Sequence, residues 1–320
     1  MITSEIKETL KAYKKTIGDS YTLAVIPDPK EDSGDFFMDS RSSEFPRQLE
    51  FQFGKNGKPR VSLLIAISNE NHAISLPYAP FGGIWSKENV SSEILEDFIR
   101  EVIDYLKGIG IESLEIIQPP KPYVFQSDLI NNLMLKSGFE LRKVLSHQFF
   151  LGKKKIKRLV QEQSSKIHRK EKESGIKIRA GAIQNFKFLD EIRTWNSSRG
   201  YEVTFEEKRL ISQVSEFPEK YFLISLSQGE REIAHSLVVK LTSDSLYYFL
   251  SAMDPKSSVK SLGDILVFSL FQLASEQKIE LIDLGSSETH HRINHSLMYF
   301  KSRFSNDISN KISWYRKIEK

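Results

Sequence analysis

Hydrophobic positions along this 320-residue chain change their spacing many times, and the changes divide it into short elements. Apolar residues recurring every three to four positions predict helices over 2–16, 91–107, 127–137, 153–173, 183–198, 204–213 and 264–277. In the second of these Ser92 is the expected N-cap, acidic residues fill the first turns, and Gly108 stands just past the end. Short runs rich in apolar, β-branched and aromatic residues predict strands over 49–53, 59–67, 72–78, 112–117, 140–151, 176–180, 221–227, 231–241, 246–252 and 279–285. A Lys-Asn-Gly turn joins the first two strands and a Gln-Gly-Glu turn joins 221–227 to 231–241, so each pair reads as a hairpin. Residues 27–47, 79–85 and 254–263 carry the Pro, Gly, Ser and Asp of loops.

The same order occurs twice: hairpin, third strand, Pro- or Gly-bearing loop, helix, strand. This predicts an internal duplication with a period of half the chain. The expected class is α/β with mixed sheets, in two domains covering 1–152 and 153–320, with the boundary near Gly152.

Composition changes this picture in four places. The 39% hydrophobic content gives each half enough apolar surface for a core. Cysteine is absent, which removes disulfides, thiol nucleophiles and thiolate metal sites, and fits a reducing compartment. The most apolar runs, 61–67 and 264–274, are far short of the ~20 residues of a membrane-spanning helix, so a cytoplasmic location is expected. The net charge of +4 is concentrated: residues 153–179 hold eleven Lys or Arg against three Asp or Glu. Helix 153–173 therefore reads as a narrow apolar stripe under a basic face. Two readings stay open for it, a solvated linker helix and a contact with tRNA or an anionic glycan-lipid.

The unit 246–277 carries the best candidate chemistry. A loop that feeds a helix N-terminus offers free amides and a favourable dipole to an anion. This loop holds Ser257, Ser258, Lys260 and Ser261, then Gly263, where the backbone can come close to a phosphate. Asp264 adds a carboxylate that helps the helix start. The equivalent N-terminal loop, PFGGIWSKENVSS, has two glycines and lies near Tyr78 and Trp85, but has no anion-binding run. His290, His291 and His295 follow the last predicted strand; His291 and His295 would share one helical face as metal ligands can, although no complete metal motif surrounds them.

Three stretches resemble a known family. LMLKSGFELR (133–142) resembles the helix-Gly-Phe-strand ending of GNAT domains. Residues 247–285 resemble the cofactor-binding core of the GNAT subfamily related to Fem-type peptidyltransferases, and YFKSRFSN (299–306) resembles the Phe-Lys-x-x-Phe segment of its C-terminal domain. The resemblance implies two GNAT folds in tandem, the first degenerate or helping to shape the acceptor site. It places an acyl-CoA donor, such as acetyl-CoA, at Ala252, Met253, Ser258, Val259, Lys260, Ser261, Leu262 and Gly263. Lys260-x-x-Gly263 matches part of the GNAT loop pattern, while Ile265 stands where that pattern has a small residue. It places catalytic or acceptor-contacting roles on His291, His295, Tyr299 and Lys301, with Tyr247 and Tyr248 as competing proton donors. The implied activity is transfer of an acyl group to an amine, on a small molecule or a cell-envelope precursor. Two alternatives accompany it: a Fem-like enzyme drawing its donor from aminoacyl-tRNA, and a non-catalytic GNAT that binds an anionic ligand or a partner.

Overall fold

A computed structural model describes residues 12–17, 21–29, 44–86, 88–201, 205–288 and 292–319. The chain forms two compact units: residues 1–146 with 309–320, and residues 147–308. Among the described residues no helix is long and apolar enough to cross a membrane.

Unit 1 begins with the strands β1 (Tyr13–Ile17) and β2 (Tyr21–Pro27), paired antiparallel from Tyr13↔Val25 to Ile17↔Tyr21. This corrects the helix expected over 2–16 at its C-terminal end; residues 1–11 lie outside the described residues. Strand pairing satisfies the backbone here, and the local helical spacing yields to it. The hairpin β3 (Arg47–Lys55) and β4 (Lys58–Ile67) continues the sheet. It is followed by β5 (His72–Ile74), β6 (Ile84–Ser86), which pairs with β4, and α1 (Ser92–Gly108). The buried apolar residues of α1, Leu95, Phe98, Ile99, Val102, Ile103 and Leu106, fall on one face and pack into the core with Leu49, Phe51 and Phe53. Next come β7 (Ser113–Gln118), α2 (Ser127–Lys136) and β8 (Glu140–Leu151).

Unit 2 holds α3 (Lys153–Ser174), β9 (Ile176–Ala182), α4 (Lys187–Ser197), α5 (Glu207–Glu216), β10 (Tyr221–Gln228), β11 (Arg231–Val239), β12 (Ser245–Met253), α6 (Leu262–Glu276), β13 (Leu281–Ser286) and α7 (His295–Ser302). Its sheet runs β13-β12-β11-β10-β9. Helix α6 is apolar on nearly every side and its buried residues, from Leu262 to Ala274, form the centre of the core. α3 closes over it with Ile156 and Ile167, leaving its basic residues outward.

The final strand, β14 (Asp307–Lys317), was not signalled by periodicity. Its residues Ile312–Lys317 pair antiparallel with Gln118–Ser113 of β7 in unit 1. Reciprocally, the end of β8 belongs to unit 2, where Leu281, Ile282 and Asp283 of β13 pair with Leu151, Phe150 and Phe149. The two repeats thus exchange their last strands.

Candidate functional site

The site arises where two parallel strands part. β12 and β13 pair only over Ser245↔Leu281, Leu246↔Ile282 and Tyr247↔Asp283. β12 then runs on to Met253 with β11 alone. Its register with β11 shifts between Leu237 and Val238, which leaves Phe249 as an extra residue, a bulge that bends the strand. β13 shifts register against β8 between Asp283 and Ser286, and Gly285 there has φ 72°. The result is a wedge between β12 and β13, open along Tyr248–Met253.

The corresponding strands of unit 1 part after an equally short pairing, His72↔Ser113 to Ile74↔Glu115. There the chain fills its own wedge. Ser75 N donates to Glu115 O at 2.9 Å, and Gly82 N donates to Ile117 O at 3.1 Å. The Gln118 side-chain amide bonds both the N–H and the carbonyl of Ile84 at 2.9 Å. A side chain on Gly83 would meet Pro119 and Gln118 at under 3 Å, so this packing requires glycine. The open wedge belongs to unit 2.

At the mouth of that wedge lies a cavity of about 460 Å³, lined by Met253, Asp254, Pro255, Ser257, Val259 and the start of α6, with Arg199, Phe300 and Arg303. Ser261, the N-cap of α6, sits at φ 63° and makes no side-chain cap bond. The first-turn amides of α6 are therefore uncapped where the cavity begins. Two carboxylates border the cavity, and each has a guanidinium: Arg231 pairs with Asp254, and Arg303 with Asp264 at 2.8 Å. Arg199 and the exposed Lys260 remain as cations with no ion pair among the described residues. α4 delivers Arg199. His235 Nε2 lies 2.7 Å from Glu191 of that helix, Trp195 stacks on the His235 ring, and Asn196 Nδ2 donates to Ser251 O of β12 at 3.2 Å.

The sequence-derived donor residues separate on this geometry. Met253, Val259, Ser261, Leu262 and Gly263 line the cavity; Ala252 is buried in β12, and Ser258 and Lys260 stand exposed in the loop. Gly263 also has a packing reason. A side chain there would stand 3.1 Å from the Phe300 ring, so glycine makes room for α7. Ile265 is buried in the core and does not enter the cavity.

α7 inverts the usual burial of a helix: Leu297 and Tyr299 are exposed, and its buried side chain is Lys301. Lys301 Nζ donates to Ser286 O at 2.6 Å. A side chain on Gly285 would stand 3.2 Å from the Tyr247 ring and 3.8 Å from Lys301 Nζ, so the missing Cβ admits both to the point where the strands part. Burial pushes the Lys301 amine down to about 8, partly opposed by the Asp283 carboxylate. Burial also raises Tyr247, and Asp283 adds to that shift. Asp283 is fully buried, accepts from Gly285 N at 2.7 Å, and has His147 Nδ1 at 3.1 and 3.2 Å from its two oxygens.

Of the residues expected to be catalytic, Lys301 stands at the wedge apex, while His295 and Tyr299 are exposed on α7. His291, with His290, lies outside the described residues. Asp283 lies at the strand next to Lys301 and pairs with His147, which carries no local signal in the sequence.

No protein-family model matches the chain, and no curated protein does either. Solved structures match over most of its length. FemX aligns with a TM-score of 0.61 at 11% identity, over 91% of this chain and 97% of that one. A tandem GNAT protein from the clavulanic acid biosynthesis pathway aligns with a TM-score of 0.51 at 10% identity, over 93% and 99%. L-PGS from Bacillus licheniformis aligns with a TM-score of 0.50 at 14% identity, over 82% and 83%. The chain has the mixed α/β architecture of two GNAT folds in tandem.

Proposed function

We propose that unit 2 is an acyltransferase centre that moves an acyl group from acyl-CoA to an amine. The observation that carries this reading is a single wedge with an uncapped helix N-terminus at its mouth and a buried amine at its apex. The donor set suits a diphosphate: free first-turn amides of α6, the helix dipole, Arg199 and Lys260, with the nearby carboxylates already paired. A tandem GNAT relative is described without AcCoA, which makes acetyl-CoA the first donor to test.

A bound thioester supplies an activated carbonyl; the protein's task is alignment, charge and proton handling. The open edge of β12 offers backbone N–H groups along Leu250–Met253. With a value near 8, Lys301 is mostly cationic at pH 7, and it brings positive charge to a site where negative charge develops on a carbonyl oxygen. His291, His295 and Tyr299 remain the candidates for contacting the acceptor amine and for proton transfer.

Calorimetric titration with acetyl-CoA is the test. We expect binding by the wild type and a drop of roughly tenfold in each of Arg199→Ala and Lys260→Ala, the loss of one charge-assisted contact. No binding of acetyl-CoA or of free coenzyme A would sink the reading. The basic face of α3 favours a second reading, an aminoacyl-tRNA donor. Under it the titration is silent with acetyl-CoA, and charged tRNA binds with strong salt dependence.

A further inference from the structure

His235, on β11, is 2% exposed, and both nitrogens of its ring are engaged. Ser225 Oγ of β10 lies 2.9 Å from Nδ1, and Glu191 Oε2 of α4 lies 2.7 Å from Nε2. A carboxylate accepts hydrogen bonds, so Nε2 carries the hydrogen. Trp195 stacks on the ring at 5.3 Å with 7° between the planes, and Phe188 meets it at 61°. Phe188, Glu191 and Trp195 follow the i, i+3, i+7 spacing of one helical face, so α4 closes around a single side chain of the sheet. An apolar residue would fill the same place without needing partners. Burying a histidine costs free energy that directed hydrogen bonds must offset, and direction is what an apolar contact lacks. The hydrogen bonds therefore set how α4 is rotated about its own axis.

That rotation matters at the far end of the helix. Arg199 stands four residues after Trp195, just past the C-terminal turn, and lines the cavity. The Asn196 carbonyl accepts from Arg199 N and Tyr201 N at 3.0 Å each, and Gly200 takes φ 73° within this turn. The Asn196 side chain ties the turn to Ser251 O of β12 at 3.2 Å. Turning α4 by one residue, about 100°, would carry Arg199 off the cavity.

We infer that His235, locked by Glu191, is a positioning residue that fixes the rotation of α4 and so holds the Arg199 guanidinium at the cavity. Ser225, Glu191 and His235 are not among the residues that line the cavity, so their effect on a ligand passes through Arg199. The consequence for donor binding rests on the acyl-CoA reading above; the anchoring of α4 does not.

The chain has no cysteine, so Arg199→Cys carries a single nitroxide label whose motion electron paramagnetic resonance reads without any ligand. Glu191→Ala and, separately, His235→Phe should shorten the label's correlation time roughly twofold or more. Glu191→Gln still accepts from Nε2 and should leave it unchanged. A label carried instead by Lys172→Cys, exposed on α3, should not respond. A label at position 199 that ignores these substitutions overturns the inference, and so does a label on α3 that moves as much. Either substitution suffices if the other does not fold. In titration with acetyl-CoA, Glu191→Ala should weaken binding by at most the roughly tenfold lost in Arg199→Ala, and should cost nothing further once Arg199 is already Ala. Equal losses in both backgrounds would mean that Glu191 serves the fold and not Arg199, which refutes the role. A wild type that ignores acetyl-CoA yet shows the label response keeps the anchor and loses the acyl-CoA reading.

Discussion

At the scale of single residues, Lys301 concentrates the physics of this protein. It is the buried side chain of a helix whose Leu297 and Tyr299 are exposed, and burial lowers its amine from the ordinary 10.5 to about 8. The unfolded chain therefore binds this proton more tightly than the folded one. The resulting cost to folding is fully present below pH 8 and disappears as pH rises to 10.5. It amounts to about 3 kcal/mol. Urea denaturation should show the wild type gaining stability from pH 7 to pH 10 by up to that amount relative to Lys301→Met. If transfer needs the cation, kcat/KM falls as pH rises through about 8, and Lys301→Met lowers kcat by roughly 10²–10³ with its fold intact. The Phe-Lys-x-x-Phe segment made Lys301 legible in the sequence. Asp283 left a weaker sign, a carboxylate set between Ile282 and Leu284 in the strand 279–285. His147 left none, since its partner lies far along the chain and only sheet register brings them together.

At the scale of elements, α6 and α7 meet through Gly263 and Phe300. A Cβ on Gly263 would stand 3.1 Å from the Phe300 ring, which leaves no space for a branched side chain. Gly263→Val should cost about 1–3 kcal/mol through overpacking. It should also weaken acetyl-CoA binding, because Phe300 lines the cavity. Replacing Phe300 by Leu in the same chain should recover most of the lost stability, as thermal denaturation would show; no recovery would mean that the glycine serves the backbone instead. The long elements were readable because their burial is simple. α1 and α3 each bury one stripe, and α6, apolar almost throughout, lies between a sheet and a helix. α7 was not readable because it spans eight residues and buries a lysine, the reverse of an amphipathic pattern. β1 was misread because the spacing of its five residues yields to pairing with β2.

At the scale of the whole molecule, the exchanged strands make each unit depend on a distant part of the chain. Unit 1 takes Trp314 and Ile318 into its core, and Trp314 Nε1 donates to Asn131 at 2.8 Å. Truncation of residues 309–320 strips β7 of one of its two partner strands and leaves that core unfilled. Loss of the buried Trp alone costs about 3–5 kcal/mol. Circular dichroism with urea should show unit 1 unfolding early or not folding, and a truncated chain as stable as the full one would refute this dependence. The duplicated order of elements is visible in sequence because both repeats keep their hairpins and loops. The exchange is not, because an antiparallel strand pairs equally well with either repeat's open edge until the tertiary fold offers one of them.

Periodicity alone determined that this chain makes hairpins followed by crossover helices, twice over, because the two-residue and 3.6-residue repeats are local properties of the backbone. The loop before α6 could likewise be marked as a candidate anion site from its serines, lysine and glycine. Which wedge stays open was decided by tertiary structure: unit 1 threads Ser75–Ile84 back along β7, whereas β12 bends away at Phe249. So were the pairing of Asp283 with His147 and the burial of Lys301, since both arise only between groups that folding has brought together.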